Sequence, residues 1–223
     1  MAGPAQAADD THFILPRPSC YNRSEGETMD AIRAFIAIEL PAAILVELDQ
    51  IEARLKPQMP HDTVRWVKAD SIHLTLKFLG QVPSDQFGLI TSSLRSAVAA
   101  HAPFTLEVAG AGCFPSIHRP RVVWVGIQER DHRLHALQRS VENAIGPLGY
   151  PTEIRDFTPH LTLGRVARDV RQVDQKNIGD AVQAAGVGSL GKWEVRQVAL
   201  IKSDLKPSGA EYTVLTQASL TAK

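Results

Sequence analysis

The tetrapeptide His-Leu-Thr-Leu occurs twice, at positions 73–76 and 160–163, 87 residues apart. Each copy closes a similar passage. A β-rich stretch (RAFIAIEL) begins at Arg33, leads into an amphipathic segment and reaches the first motif histidine 40 positions later. A second apolar stretch (RVVWVGI) begins at Arg121 and reaches the second motif histidine 39 positions later, again by way of an amphipathic segment. Order and interval both recur, which is the signature of an internal repeat. Two similar α/β lobes about a pseudo-twofold axis satisfy that pattern. The expected class is therefore α+β, bilobal, with mainly antiparallel sheets flanking a central cleft.

Periodicity supplies the individual elements. Pro41 suits a first helical turn, and Ile44, Leu48, Ile51 and Leu55 follow on one stripe. Lys56-Pro57 and Met59-Pro60 end that helix. Strands are expected at 64–67 and 71–80. Ser84 is placed to cap a second helix bearing Phe87, Ile90, Leu94 and Val98. Residues 104–109 read as a strand, and the Gly- and Pro-rich stretch 110–120 reads as a loop. Leu134, Leu137, Val141 and Ile145 mark a third helix closed by Gly146-Pro147 and Gly149. A strand at 161–166, a helix at 170–185 and two strands around Pro207-Ser208-Gly209 complete the chain.

Composition narrows the functional classes. The 223 residues carry 24 basic and 24 acidic side chains, which excludes a protein that coats nucleic acid by bulk charge. Any nucleic-acid contact must be local. Cys20 and Cys113 are isolated, so neither a zinc ribbon nor a secreted disulfide scaffold is expected. No apolar run reaches the ~18 residues of a membrane span. The first 28 residues are Ala-, Pro- and polar-rich without the apolar core of a signal peptide. Residues 1–29 are thus expected to be a disordered extension, with Met29 as the physiological start, and residues 30–223 a single bilobal domain. A monomer in the reducing cytoplasm is the expected setting.

In a strand, residues i and i+2 share a face. His73 and Thr75 then project together while Leu74 and Leu76 anchor in the core, and His160 and Thr162 repeat the arrangement. A pseudo-twofold axis brings both pairs to one cleft. Two imidazoles suit in-line displacement at phosphorus, one activating the nucleophile and the other protonating the leaving oxygen. Threonine hydroxyls can donate to non-bridging oxygens as charge develops there. Either histidine alone reads more readily as a satisfied structural residue; the duplication is what argues for chemistry. Neither motif offers a cysteine or carboxylate, which makes a poor zinc site.

The segments RAFIAIELP at 33–41, IHLTLKFLGQV at 72–82, RPRVVWVGI at 119–127 and FTPHLTLGRV at 157–166 resemble the 2H phosphoesterase superfamily. Within it they are similar to the RNA 2′,3′-cyclic phosphodiesterases, also called 2′-5′ RNA ligases. That resemblance covers about residues 30–220 and implies facing motif strands and metal-independent, cofactor-free hydrolysis of an RNA or nucleoside 2′,3′-cyclic phosphate to a 2′-phosphomonoester. It implies His73 as acid, His160 as base, and Thr75, Thr162 and Arg165 as phosphate ligands, with the acid and base labels exchangeable. RNA ends bearing cyclic phosphate, tRNA halves or cyclic nucleotides are the implied partners. ATP-independent 2′-5′ ligation and a non-catalytic RNA-end or nucleotide-binding module are the alternatives.

Strict parity puts Arg165 on the face opposite His160 unless Gly164 breaks the strand. Lys77 has the parity to line the cleft. Phe78 and Trp66 are expected in the core, with base stacking as the alternative. Arg119 and Arg121 are expected in a loop. His12, His61, His101, His118, His132 and His135 lack a repeated context and receive no role.

Overall fold

A computed structural model describes residues 31–206 and 209–222. The expected N-terminal extension with His12, Cys20 and Met29, and the turn residues Pro207 and Ser208, lie outside the described residues. In chain order the elements are β1 (Ala31–Ile38), α1 (Ala42–Leu55), β2 (Val64–Trp66), β3 (Leu74–Pro83), α2 (Phe87–Ala99), β4 (Phe104–Ser116), β5 (Arg119–Gln128), α3 (Arg133–Ile145), β6 (His160–Val166), α4 (Gln172–Ala184), β7 (Ser189–Val195), β8 (Gln197–Lys206) and β9 (Gly209–Ser219). The strands form two sheets, ordered β3-β1-β8-β9 and β2-β6-β5-β4-β7. Their pairings are antiparallel throughout, giving the expected α+β class.

The helical stripes read from the sequence are the buried faces: Ile44, Leu48, Ile51 and Leu55 on α1, and Leu134, Leu137, Val141 and Ile145 on α3. The two halves interlock. Helix α1 of the first half reaches β7 of the second sheet, while α3 of the second half reaches α2 and β3 of the first. One core therefore runs under both sheets and takes in Leu74 and Leu76 together with Leu161 and Leu163. Sharing a core fixes the two motif strands relative to each other.

Three local expectations are corrected. Ser84 does not cap α2 through its side chain; a 3₁₀ turn, Ser84–Gln86, leads into the helix instead. Residues 110–120 are not a loop, because β4 runs on to Ser116 and β5 starts at Arg119. The glycines that suggested a loop serve strand packing. Gly110, with φ +77°, lies in the bulge between Val108 and Ala111. A Cβ on Gly112 would stand 2.5 Å from the Trp124 ring, so the indole can lie there only against a bare backbone. The third correction is β7, a strand the sequence reading does not place; its residues are mostly half-buried or exposed and so carry a weak alternation signal.

Candidate active site

Strand β3 is the edge of the first sheet, and β6 lies second from the edge of the other. The two approach within 8 Å at their Cα atoms; Thr75 lies on the first with His73 directly before it, and His160 and Thr162 lie on the second. Both strands carry the same irregularity. Along β3, Ile36 pairs with Lys77 and Ala37 with Thr75, so Leu76 is passed over. Along β6, Val123 pairs with Gly164 and Trp124 with Thr162, so Leu163 is passed over. One extra residue reverses the alternation of a strand. Beyond each bulge the parity read from the sequence is inverted.

That inversion explains three side chains, Arg165, Lys77 and Phe78. Arg165 returns to the face of His160, close enough for its charge to disfavour the imidazolium. The residue responsible is Leu163, not the strand break at Gly164 that the sequence suggests. Lys77 does not line the cleft: it is buried, with its Nζ ion-paired to Glu142 of α3 and donating to the Pro151 carbonyl at 2.9 Å. Phe78 does not enter the core; it is 66% exposed on the cleft face. Trp66, one residue beyond Arg65 on β2, is half-buried against the core, with the Lys56 ammonium 5.9 Å from its ring centroid.

Each motif histidine is tethered in the same way. His160 Nδ1 lies 2.7 Å from the Thr158 carbonyl, and a ring nitrogen of His73 bonds the Ser71 carbonyl, each two residues upstream. A carbonyl only accepts, so Nδ1 of His160 carries the proton and Nε2 keeps its lone pair for chemistry. Burial pushes His73 down to about 4, partly offset by the Ser71 carbonyl. Burial also lowers His160, opposed by Thr158 and reinforced by Arg165. Desolvation disfavours the charged imidazolium, and the rings that supply it are visible. His73 stacks on Phe35 at 4.4 Å and meets Tyr212 edge-on at 5.0 Å, while His160 meets Phe114 edge-on at 4.8 Å.

Arg65, which the sequence reading does not single out, lies beside Arg165. It pairs directly across from Arg165, both are exposed, and like charges in that position repel. Its signal was weak because β2 has only three residues and no motif. Arg119 and Arg121 are on β5 rather than in a loop, and Arg121 donates to the carbonyls of Ala167 and Arg168.

Away from the motifs, Glu129, His132 and His135 have ligand atoms within 4.8 Å of one another. The Glu129 carboxylate there accepts from the Leu134 and His135 amides at 2.6 and 3.3 Å, so it caps α3. Cys113 is free and buried, and burial pushes its thiol up to about 11, leaving it un-ionised near neutrality. A cavity of about 510 Å³ lined by Phe104, Glu129, Arg130 and Lys192, among others, includes no motif residue.

Two antiparallel sheets meeting along a pair of identical His-x-Thr strands define a two-histidine phosphoesterase architecture. The chain belongs to the 2′-5′ RNA ligase superfamily, whose family model matches residues 40–207. It is 33% identical to an RNA 2′,3′-cyclic phosphodiesterase of Methanothermobacter thermautotrophicus, over 82% of this chain and 95% of that protein. An RNA 2′,3′-cyclic phosphodiesterase of Aquifex aeolicus is 28% identical over 85% of this chain and 97% of its own length. Among solved structures, TT0787 of Thermus thermophilus superposes with a TM-score of 0.70 at 26% identity, covering 86% of this chain and all of that one. Escherichia coli LigT complexed with 3′-AMP gives 0.68 at 27% identity with the same coverage. Among the described residues, no helix is long and apolar enough to cross a membrane.

Proposed function

We propose that the protein hydrolyses RNA or nucleoside 2′,3′-cyclic phosphates to 2′-phosphomonoesters, with His73 and His160 as acid and base and without a metal. The observation that carries this reading is the pair of adjacent motif strands, each holding a histidine tethered to a carbonyl two residues upstream. Nε2 of His160 takes a proton from water as its oxygen attacks phosphorus. The P–O3′ bond breaks in line with that attack, and His73 gives its proton to O3′. Thr75, Thr162 and Arg165 donate to the non-bridging oxygens, where charge develops, and Arg65 stands beside Arg165 to add a second cation.

The relatives named RNA 2′,3′-cyclic phosphodiesterase support this substrate class, and LigT with 3′-AMP supports a nucleotide ligand. Burial holds His73 neutral in the free protein, so the acid takes up its proton with the substrate, whose anionic phosphate favours the imidazolium. Activity is assigned to residues 30–223 acting as a monomer in the reducing cytoplasm, the setting that suits the free thiol of Cys113. RNA ends are the preferred partners, with tRNA halves and cyclic nucleotides as further substrates. The superfamily description also favours 2′-5′ joining at the same site, a 5′-hydroxyl replacing water.

The test is incubation of adenosine 2′,3′-cyclic phosphate, and of RNA with a cyclic-phosphate end, in excess EDTA. The expected product is the 2′-monophosphate, lost in both His73→Ala and His160→Ala. A 3′-monophosphate product, or unimpaired turnover in both variants, overturns the reading. Tight binding without turnover identifies a binding module instead, and a joined product from 5′-hydroxyl RNA identifies the ligase.

A further inference from the structure

We infer that Lys77 and Tyr150 are positioning residues, two struts that set the spacing of the motif strands and hence of His73 and His160. Strands β3 and β6 belong to different sheets, and among the described residues no backbone pairing joins them. Strand β2 pairs with β6 and its chain leads on to His73, which ties the two at the start of β3 only. Beyond Thr75 the tie is made by side chains. The bulge at Leu76 turns Lys77 inward, where its Nζ ion-pairs with Glu142 of α3 and donates to the Pro151 carbonyl at 2.9 Å. The preceding residue, Tyr150, donates from its hydroxyl to Gln86 Oε1 at 2.7 Å, in the turn that follows β3.

Both struts run from β3 or its exit to one point of the second half, the start of the connection 151–159 that delivers His160. The far end of that connection is held as well. Phe157 is half-buried against the core and meets the His135 ring of α3 edge-on at 5.4 Å, and the Thr158 carbonyl holds His160 Nδ1. The charges are enclosed, with the Lys77 and Glu142 side chains 2% and 5% exposed. An apolar pair of similar volume commonly packs in such a place with equal stability, so stability alone does not account for them. What the ion pair adds is a fixed direction and separation, which non-directional apolar contact does not impose. Acid–base catalysis depends on that spacing, since a misplacement of about 1 Å can cost ~10²-fold in rate. The inference rests on the proposed phosphodiesterase reading.

The experiment uses the full chain carrying Lys77→Met and Glu142→Leu together, which removes both charges at once, with Tyr150→Phe as a second variant. Hydrolysis of adenosine 2′,3′-cyclic phosphate is measured beside amide hydrogen exchange and the thermal midpoint. The paired substitution is expected to keep the thermal midpoint and KM near wild type, to lower kcat ~10²-fold and to speed exchange at residues 152–158. Unchanged kcat overturns the inference, as does a raised KM with kcat intact or unaltered exchange. Should the paired variant fail to fold, Tyr150→Phe decides: kcat is expected to fall ~2–12-fold, the equivalent of one neutral hydrogen bond, and a wild-type kcat overturns the inference. Should the wild type hydrolyse no cyclic phosphate while the paired substitution speeds exchange at 152–158, the struts stand and the phosphodiesterase reading falls.

Discussion

The two motif strands share a sequence, a bulge and a histidine tether, yet they deliver different chemistry to the cleft. After the bulge at Leu76, β3 sends Lys77 inward and Phe78 outward. After the bulge at Leu163, β6 follows with the buried Gly164 and sends Arg165 outward. The neighbours widen the contrast. Strand β3 is a sheet edge, whereas β6 is flanked by β2, which sets Arg65 opposite Arg165. One side of the cleft is aromatic and the other cationic, although both descend from one pattern. The difference rests on the two residues that follow an identical bulge.

The inward residues differ as much as the outward ones. Lys77 is paired inside the protein with Glu142, which also accepts from Gln138 at 3.2 Å. Removing one member of a buried pair leaves the other charge unmatched, a cost of about 3–5 kcal/mol. Lys77→Ala is accordingly expected to lower unfolding free energy by that amount in a denaturant titration. A loss below about 1 kcal/mol would place Lys77 in solvent and erase the inward half of the contrast.

Arg165 tests the outward half. Hydrogen bonds to charged groups contribute about 1.5–3 kcal/mol, so Arg165→Ala is expected to reduce kcat/KM by ~10–150-fold. Because Arg165 holds the His160 pKa down, its removal is also expected to move the basic limb of the pH–rate profile upward. A limb that stays in place would detach Arg165 from His160.

Gly164 tests the packing that permits the bulge. A Cβ there would stand 2.6 Å from Val64 Cγ1 and 3.3 Å from the Trp66 ring. Overpacking of this kind costs about 1–3 kcal/mol, which Gly164→Ala is expected to show as a lower thermal midpoint. Lys77→Gly on the first strand meets no such limit and would fail for the separate reason of its lost ion pair.

The smallest expected effect is protonic. Both motif histidines titrate below 6.5, His73 at about 4. The kcat/KM optimum, which reports the free enzyme, is therefore expected on the acid side of 6.5. Binding of 3′-AMP near pH ~6 should draw in a fraction of a proton, measurable by calorimetry in two buffers of different ionisation enthalpy. The sign for stability follows from the same shift. A folded-state pKa below the unfolded value gives stability that is present above about 6.5 and lost as pH falls toward about 4. His73→Asn is expected to flatten that decline.

Much of this was legible beforehand. The stripes on α1 and α3 and the repeated strands follow from apolar periodicity and became the buried core. The histidine and threonine positions followed from parity, because they precede the bulges. Parity misplaces Lys77 and Phe78, and reaches Arg165 only through a break assigned to Gly164, because it assumes an unbroken ladder and the bulge depends on pairing with β1 and β5, distant in sequence. Gly110 and Gly112 read as loop residues, since the sequence does not reveal that Trp124 needs the space above Gly112. Arg65 was invisible for a similar reason: only the register of β2 against β6 sets it opposite Arg165.

In the proposed mechanism the two motifs act as one acid–base unit across one cleft, and a double-mutant cycle on cyclic-phosphate hydrolysis measures that coupling. Each of His73→Ala and His160→Ala is expected to cost ~10²–10⁴-fold in kcat. Residues acting as a unit are strongly non-additive, so the double variant is expected to be no worse than the poorer single variant within a few fold. Losses that multiply to the full product of the two single effects would contradict the account.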